Sequence, residues 1–211
     1  MNITSLKETI CPQCNNKVEY RIFHNVNATN NPEFKQMILN DTFFKVQCPL
    51  CKSTQDLLHS FLYHDMRQDY MIYYLPYSST TCNENIQKKF HSIKNITKRL
   101  VYTIDDLKEK ISIFDIGLSD FALNLLKILI LETRNISKEN LYSLYFYGIE
   151  KNYLKFQLIQ NQKQQIICIP YEEYKIAIEI VGYNTFIDSD TFSLVDINFA
   201  QHFLNDYKQI S

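Results

Sequence analysis

The chain has 211 residues, 45% of them hydrophobic, and is therefore long enough for one large domain or two modest ones with an apolar core. Its formal net charge is −1, and basic and acidic residues balance in both halves, which argues against the basic block typical of duplex nucleic-acid binding. Only three glycines occur, and the common phosphate-binding and hydrolase motifs are missing, which argues against nucleotide loops of the usual kind.

The N-terminal segment Met1–Cys11 lacks a basic stretch followed by an apolar run, so we expect no signal peptide. The most apolar stretch, Phe121–Leu131, is too short to cross a bilayer and contains Asn124 and Lys127. We therefore expect a cytoplasmic protein, and the excess of Asn, Ile and Lys suggests a bacterial one. In a reducing compartment, paired cysteines indicate metal binding rather than disulfides.

The first part of the chain predicts short strands around one helix. Val18, Tyr20 and Ile22 alternate along a predicted strand at Lys17–His24. Asn31 followed by Pro32 is a typical helix start, and the apolar spacing predicts a helix over 32–39. Further strands are predicted at Phe43–Gln47, Thr54–Tyr63 and Asp69–Leu75. The tyrosines Tyr70, Tyr73, Tyr74 and Tyr77 favour a strand buried on both faces.

A polar connection, Pro76–Asn85, predicts a boundary between domains at residues 1–78 and 86–211. Helices are predicted at 86–96, 104–115, from Ser119 to Thr133 and at Tyr171–Val181, and strands of an antiparallel meander at Tyr142–Tyr147, Tyr153–Ile159 and Gln165–Ile169. Thr103 with Asp106 resembles a capping box, and Gly117 can end the helix before it. Cys168 lies among isoleucines and is predicted to be buried.

Two Cys-Pro-x-Cys motifs, separated by 33 residues, are the most informative feature of the sequence. Cys11, Cys14, Cys48 and Cys51 supply four thiolates, which suit one tetrahedral Zn²⁺ ion, whereas a redox pair or buried free thiols are the alternatives. Such a shell has no open position, so it predicts a structural metal rather than a catalytic one. Asn15 and Lys52, which follow the two motifs, are expected to adopt left-handed backbone conformations.

These motifs, within a particular sequence context, resemble the CpXC domain of bacterial and archaeal proteins. The resemblance covers residues 8–76 and rests on four segments: Cys11-Pro-Gln-Cys14, the helix at Asn31-Pro32-Glu33, Phe44–Cys51, and Leu62-Tyr63-His64-Asp65 with Met71-Ile72-Tyr73. The family usually has Gly after each cysteine pair, where this chain has Asn15 and Lys52. The segment Asp105–Leu131 is also typical of proteins that carry this domain. The resemblance brings no established activity with it.

A second group of polar residues is a candidate binding site. Its members are His59, Tyr63, His64, Asp65 and Asp69, which are close in sequence and capable of proton chemistry. The alternative is a turn between two strands, in which Asp65 bonds to local backbone.

The sequence as a whole predicts an α+β protein: an elaborated antiparallel zinc ribbon with an inserted helix, followed by a mixed helical and antiparallel-strand C-terminal domain. We expect a zinc-stabilised, non-catalytic binding or scaffold protein that recognises another protein. Because zinc ribbons are common in nucleic-acid-associated factors, such a factor is the alternative. An enzyme that uses Tyr63-His64-Asp65 is a third hypothesis.

Overall fold

The computed structural model describes residues 3–76, 93, 95–136, 143–182 and 191–210, with side chains of the last helix up to Asp206. It divides into two compact units, Met1–Lys108 with Ser189–Phe192, and Glu109–Asp188 with Ser193–Ser211. Most of the predicted helix at 86–96 lies outside the described residues, as do Tyr77, Tyr142 and the predicted boundary between 78 and 86. That boundary therefore stays a prediction.

Up to Val101, the described residues of the first unit form short strands and one helix. In chain order they are β1 (Thr4–Ile10), β2 (Lys17–Phe23), β3 (Asn25–Asn27), α1 (Pro32–Leu39), β4 (Lys45–Gln47), β5 (Thr54–Asp56), β6 (Phe61–Asp65), β7 (Tyr70–Tyr74) and β8 (Thr97–Val101). β1 with β2, and β4 with β5, form two separate antiparallel hairpins. α1 has the predicted bounds, and Pro32 is its first residue, where a missing amide costs no helical hydrogen bond.

The remaining strands form a four-stranded sheet in the order β3-β6-β7-β8. Only β6 and β7 are antiparallel, whereas β3 pairs with β6, and β7 with β8, in parallel. The expectation of a purely antiparallel domain is therefore wrong for this sheet. Parallel neighbours need a long crossover connection, and α1, β4 and β5 lie in the one that joins β3 to β6. Side-chain alternation along a strand carries no information on the direction of its neighbour.

The predicted strand Thr54–Tyr63 is in fact two strands, β5 and β6, in different sheets. The residues between β5 and β6 lead into an aromatic core. There the ring centroids of contacting pairs lie 5.1–5.9 Å apart, among Phe43, Phe44, Phe61 and Tyr74. β7 is buried along nearly its whole length, as the tyrosine pattern predicts. This core positions the start of β6, and with it the polar residues that follow.

The second unit contains most of the predicted C-terminal elements. They are α2 (Ile104–Asp115), which begins in the first unit, α3 (Asp120–Thr133), β9 (Ser143–Glu150), β10 (Tyr153–Gln160), β11 (Lys163–Pro170) and α4 (Tyr171–Gly182). A further helix, α5 (Ile197–Ile210), was not predicted. The three strands form the predicted antiparallel meander, with β10 at its centre. The amide of Asp106 bonds to the Thr103 hydroxyl, and the Ser119 hydroxyl caps α3. The structure is thus a mixed α+β protein.

α3 is buried on most of its surface and holds charged groups inside the second unit. Lys127 contacts the carboxylate of Glu109 at 2.8 Å, and that carboxylate also accepts the amide of Phe146. Lys110 pairs with Asp120. Within the described residues, no helix is both apolar enough and long enough to cross a membrane.

The prediction that Cys168 is buried is wrong. Cys168 is exposed, because it lies on β11, an edge strand of the meander, and its neighbour Ile167 is the residue that points into the core. Strand alternation therefore decides its environment, not the apolar character of the residues beside it.

Candidate metal centre

Each Cys-Pro-x-Cys motif forms the turn of a hairpin, β1–β2 for the first and β4–β5 for the second. The two turns have the same backbone hydrogen bonds. In the first turn, the Asn15 amide donates to the Cys11 carbonyl (2.9 Å), and the Cys11 amide donates to the Asn16 carbonyl (2.9 Å). In the second turn, the Lys52 amide donates to the Cys48 carbonyl (3.0 Å), and the Cys48 amide donates to the Ser53 carbonyl (2.8 Å). The sequence repeat is therefore a repeat of local structure.

The residue after each motif has a left-handed backbone, as expected from the sequence. Asn15 has φ 56° and Lys52 has φ 63°. This conformation reverses the chain after the second cysteine, so that the two sulfurs of a motif point to the same place. Asparagine tolerates it readily, whereas lysine is strained there.

The two turns bring the four cysteine sulfurs together. All four Sγ atoms lie within 4.8 Å of one another. The Sγ atoms of Cys11 and Cys51 are 3.6 Å apart, as are those of Cys14 and Cys48, well beyond the disulfide bond length of about 2.05 Å. The cluster could thus hold one metal ion with four sulfur ligands.

The cluster lies at the surface with one side covered. Cys11 and Cys48 are 1% and 2% exposed and pack with Val18 and Val46, whereas Cys51 is exposed. A metal ion can therefore reach the sulfurs from solvent, and the apolar side holds two of the four ligands in place.

The local hydrogen bonds favour ionisation of some thiols and oppose that of others. The Ser53 hydroxyl is the main cause that lowers the pKa of Cys11 to about 6, and it also lowers the pKa of Cys51. Although the Asn16 amide lowers the pKa of Cys14, burial and the neighbouring sulfurs raise it to about 12. Four negative charges at this separation need a cation to balance them.

Ser53 was not singled out by the sequence analysis. Its Oγ lies 3.0 Å from the sulfur of Cys51 and 3.3 Å from that of Cys11. The equivalent residue of the first turn is Asn16, whose side chain donates instead to the Lys17 carbonyl. The sequence does contain a pattern that points to Ser53. Asn16 and Ser53 both stand five positions after the first cysteine of their motif, and only Ser53 has a hydroxyl group that can bond to a nearby sulfur.

Among the other candidate residues, His59 belongs to the aromatic core. Its Nε2 accepts the amide of Phe23 at 3.3 Å, and its Nδ1 lies 3.2 Å from the carbonyl of Leu57, to which it can donate. This pattern matches the neutral ring, and burial lowers the pKa of His59 accordingly. These contacts join the end of β2 to the segment that precedes β6.

Tyr63, His64 and Asp65 are consecutive on β6 and therefore alternate between its two faces. Tyr63 is fully buried and stacks on Tyr70 at 5.9 Å. Burial lowers the pKa of His64, whose Nδ1 has no hydrogen-bond partner among the described residues.

Asp65 holds the turn after β6. Its carboxylate accepts the Thr29 hydroxyl at 3.1 Å and the amide of Arg67 at 3.0 Å, as a turn residue would. Lys35 lies 4.0 Å from its second oxygen.

Asp69 ends that turn with a left-handed backbone, φ 50°, and its carbonyl accepts the amide of Thr97. His59 lies before the start of β6, whereas His64 lies near its end. A binding role for these five residues stays a prediction.

A protein-family model described as CpXC protein matches residues 9–127, more than half of the chain. The match confirms the resemblance noted in the sequence and extends past residue 76 to include α2 and the first half of α3. No curated protein and no solved structure matches the chain significantly.

Proposed function

The chain belongs to the CpXC family, and from that membership and its four-cysteine cluster we propose that it is a zinc-stabilised, non-catalytic binding protein of the cytoplasm that recognises another protein. The observation that carries the proposal is the closed set of four sulfurs within 4.8 Å. All four positions around a tetrahedral ion are filled by protein, which leaves no site for a substrate or an activated water. The metal then stabilises the fold, and the surface that it stabilises binds the protein partner.

The distances between the sulfurs fit zinc. Four sulfurs about 2.3 Å from one zinc ion stand about 3.8 Å apart at tetrahedral angles. The Cys11–Cys51 and Cys14–Cys48 pairs, at 3.6 Å, are near this value. A set of four thiolates also favours zinc or iron over the hard cations, which take oxygen ligands.

The metal is needed because the cluster has little core of its own. The residues buried there are Cys11, Val18 and Cys48, with Cys14 and Val46 partly buried. Two-stranded hairpins are marginal without further support, and zinc bound by small peptides contributes on the order of 10–16 kcal/mol. Zinc would thus fix two hairpins that the chain separates by many residues.

Exposed apolar side chains support the binding part of the proposal. Leu6 and Ile10 point the same way along β1, and Leu50 stands between the cysteines of the second motif, 68% exposed. Apolar residues of this size, held on a rigid support, are typical of protein-recognition surfaces. The net charge of −1 favours a protein partner over nucleic acid.

The proposal is tested by affinity purification of the tagged chain from its own cells. We expect one stoichiometric protein partner, lost in Leu50→Ser and in protein treated with a zinc chelator. Ile166→Ser, which changes an exposed apolar residue of the second unit, is the matched control and should retain the partner. Binding to oligonucleotides that weakens steeply with salt, with no protein partner, would contradict the proposal and favour the nucleic-acid alternative.

A further inference from the structure

The two turns of the metal cluster are alike in backbone and different in one side chain. In each turn the amide of the first cysteine donates to the carbonyl five residues on, which belongs to Asn16 in the first turn and to Ser53 in the second. The second turn adds a side-chain hydroxyl: Ser53 Oγ lies 3.0 Å from Cys51 Sγ. The first turn has no equivalent bond, because the Asn16 side chain donates to the carbonyl of Lys17.

With a metal bound, the direction of this hydrogen bond is fixed. Cysteines that coordinate a metal are thiolates and have no proton to donate. The Ser53 hydroxyl must therefore be the donor, and its single proton can bond to one sulfur at a time. The shorter distance favours Cys51 over Cys11, at 3.0 Å and 3.3 Å.

The hydrogen bond goes to a sulfur whose cysteine is not held in place by burial. Cys51 is the exposed cysteine of the cluster, whereas Cys11 and Cys48 are held by burial. Ser53 itself is partly buried, and its backbone carbonyl is fixed by the Cys48 amide. The hydroxyl is thus anchored by the same turn whose exposed sulfur it contacts.

We propose that Ser53 is a positioning residue of the metal centre, whose hydroxyl holds the exposed Cys51 thiolate in the ligand position and slows its loss to solvent. This inference rests on the proposed zinc site. Partners that hydrogen-bond to metal ligands typically change metal affinity by 10- to 100-fold when they are removed.

Three variants of the whole chain test the proposal by competition with a chelator of known zinc affinity. Ser53→Ala removes the hydroxyl and keeps the backbone bond, so we expect zinc to bind about 10- to 100-fold more weakly, with about one zinc still bound at saturation. Ser53→Thr retains a hydroxyl and should restore most of the affinity. Asn16→Ala changes the equivalent position of the first turn and should bind zinc as the unmodified protein does.

Cobalt supplies a second measurement that a general loss of stability would not reproduce. In the Co²⁺-substituted protein, removal of a hydrogen bond raises the energy of the sulfur electrons. The sulfur-to-cobalt charge-transfer band should therefore move to longer wavelength in Ser53→Ala and stay in place in Asn16→Ala and Ser53→Thr.

Equal zinc affinity and equal cobalt spectra in Ser53→Ala and the unmodified protein would overturn the inference while leaving the zinc site intact. Equal weakening in Ser53→Ala and Asn16→Ala would also overturn it, because the effect would then belong to any change in these turns. If the unmodified protein binds neither zinc nor cobalt, the proposed function fails as well.

Discussion

At the scale of single residues, the metal centre depends on two backbone conformations that most side chains avoid. Asn15 and Lys52 both have positive φ values, 56° and 63°. A left-handed conformation costs a non-glycine residue about 1–2 kcal/mol, less for asparagine, whose short side chain can bond locally. The first turn therefore has a tolerant residue, and the second has a strained one.

Replacing Lys52 with glycine should relieve this strain. We expect Lys52→Gly to raise the free energy of unfolding of the zinc-loaded protein by a few tenths to about 1 kcal/mol, measured by chemical denaturation. Lys45→Gly is the control, since Lys45 is an exposed residue of β4 in an extended conformation, and there glycine should destabilise by about 0.5–1 kcal/mol. Equal destabilisation by the two changes would show that the second turn stores no strain.

His59 predicts a pH dependence of stability. Burial holds the pKa of His59 in the folded protein below the unfolded value of 6.5. As the pH falls below 6.5, the unfolded chain therefore binds a proton at His59 more readily than the folded chain does. The contribution of the neutral ring is therefore fully present above that pH and is lost as the pH falls through the folded pKa. The loss should begin as the pH approaches 6.5 from above and should be complete once the pH lies below the folded pKa.

The variant His59→Gln isolates this effect, because an amide can donate to Leu57 and accept from Phe23 without titrating. Urea denaturation of both proteins at matched zinc concentrations should show the unmodified protein losing stability relative to the variant below about pH 6.5. A difference that stays constant with pH would mean that His59 titrates alike in the folded and unfolded chains.

At the scale of elements, the sequence predicts best what local signals determine. α1 has the predicted bounds because Asn31 and Pro32 start it and Asn40 ends it. α2 and α3 follow from Thr103, Gly117 and Ser119 in the same way. What the sequence left unpredicted or predicted wrongly depends on distant partners. β1, for which no strand was predicted, is held by β2. The break between β5 and β6 is imposed by two different sheets, and parallel pairing has no local pattern.

The charged groups of α3 give a further prediction at this scale. Lys127→Ala leaves the carboxylate of Glu109 buried without its cation, so we expect a loss of about 3–5 kcal/mol in the free energy of unfolding. Lys175→Ala removes a pair with Glu172 on the exposed face of α4 and should cost less than about 0.5 kcal/mol. Similar effects of the two substitutions would show that the Lys127–Glu109 pair is accessible to water in solution.

At the scale of the whole molecule, the cluster joins two hairpins that are far apart in the sequence. The clustering of the four sulfurs was predictable because each pair is organised within its own turn, and two such turns supply the four thiolates that a tetrahedral ion requires. The approach of the Ser53 hydroxyl to Cys11 was not, since that contact exists only after the hairpins meet, whereas its contact with Cys51 is local to the second turn. The environment of Cys168 likewise depends on which face of β11 packs on the core, since Ile167 faces the core and Cys168 does not.

Removal of the metal should therefore act first on these hairpins. After chelation, hydrogen exchange should accelerate at the amides of β1, β2, β4 and β5, because the link between the hairpins is lost. The amides of β10, the central strand of a sheet in the second unit, serve as the reference and should keep their protection. Unchanged exchange in the hairpins would show that they are stable without metal.

The most direct test of the account is the zinc content of the purified chain. We expect about one zinc ion per chain in the unmodified protein and in Cys168→Ser, whose exposed thiol lies outside the cluster. Cys48→Ser removes a buried ligand, so it should lose the zinc together with the folded hairpins. Zinc-free protein with undiminished stability, or full zinc content in Cys48→Ser, would contradict the claim that these four cysteines form a structural zinc site.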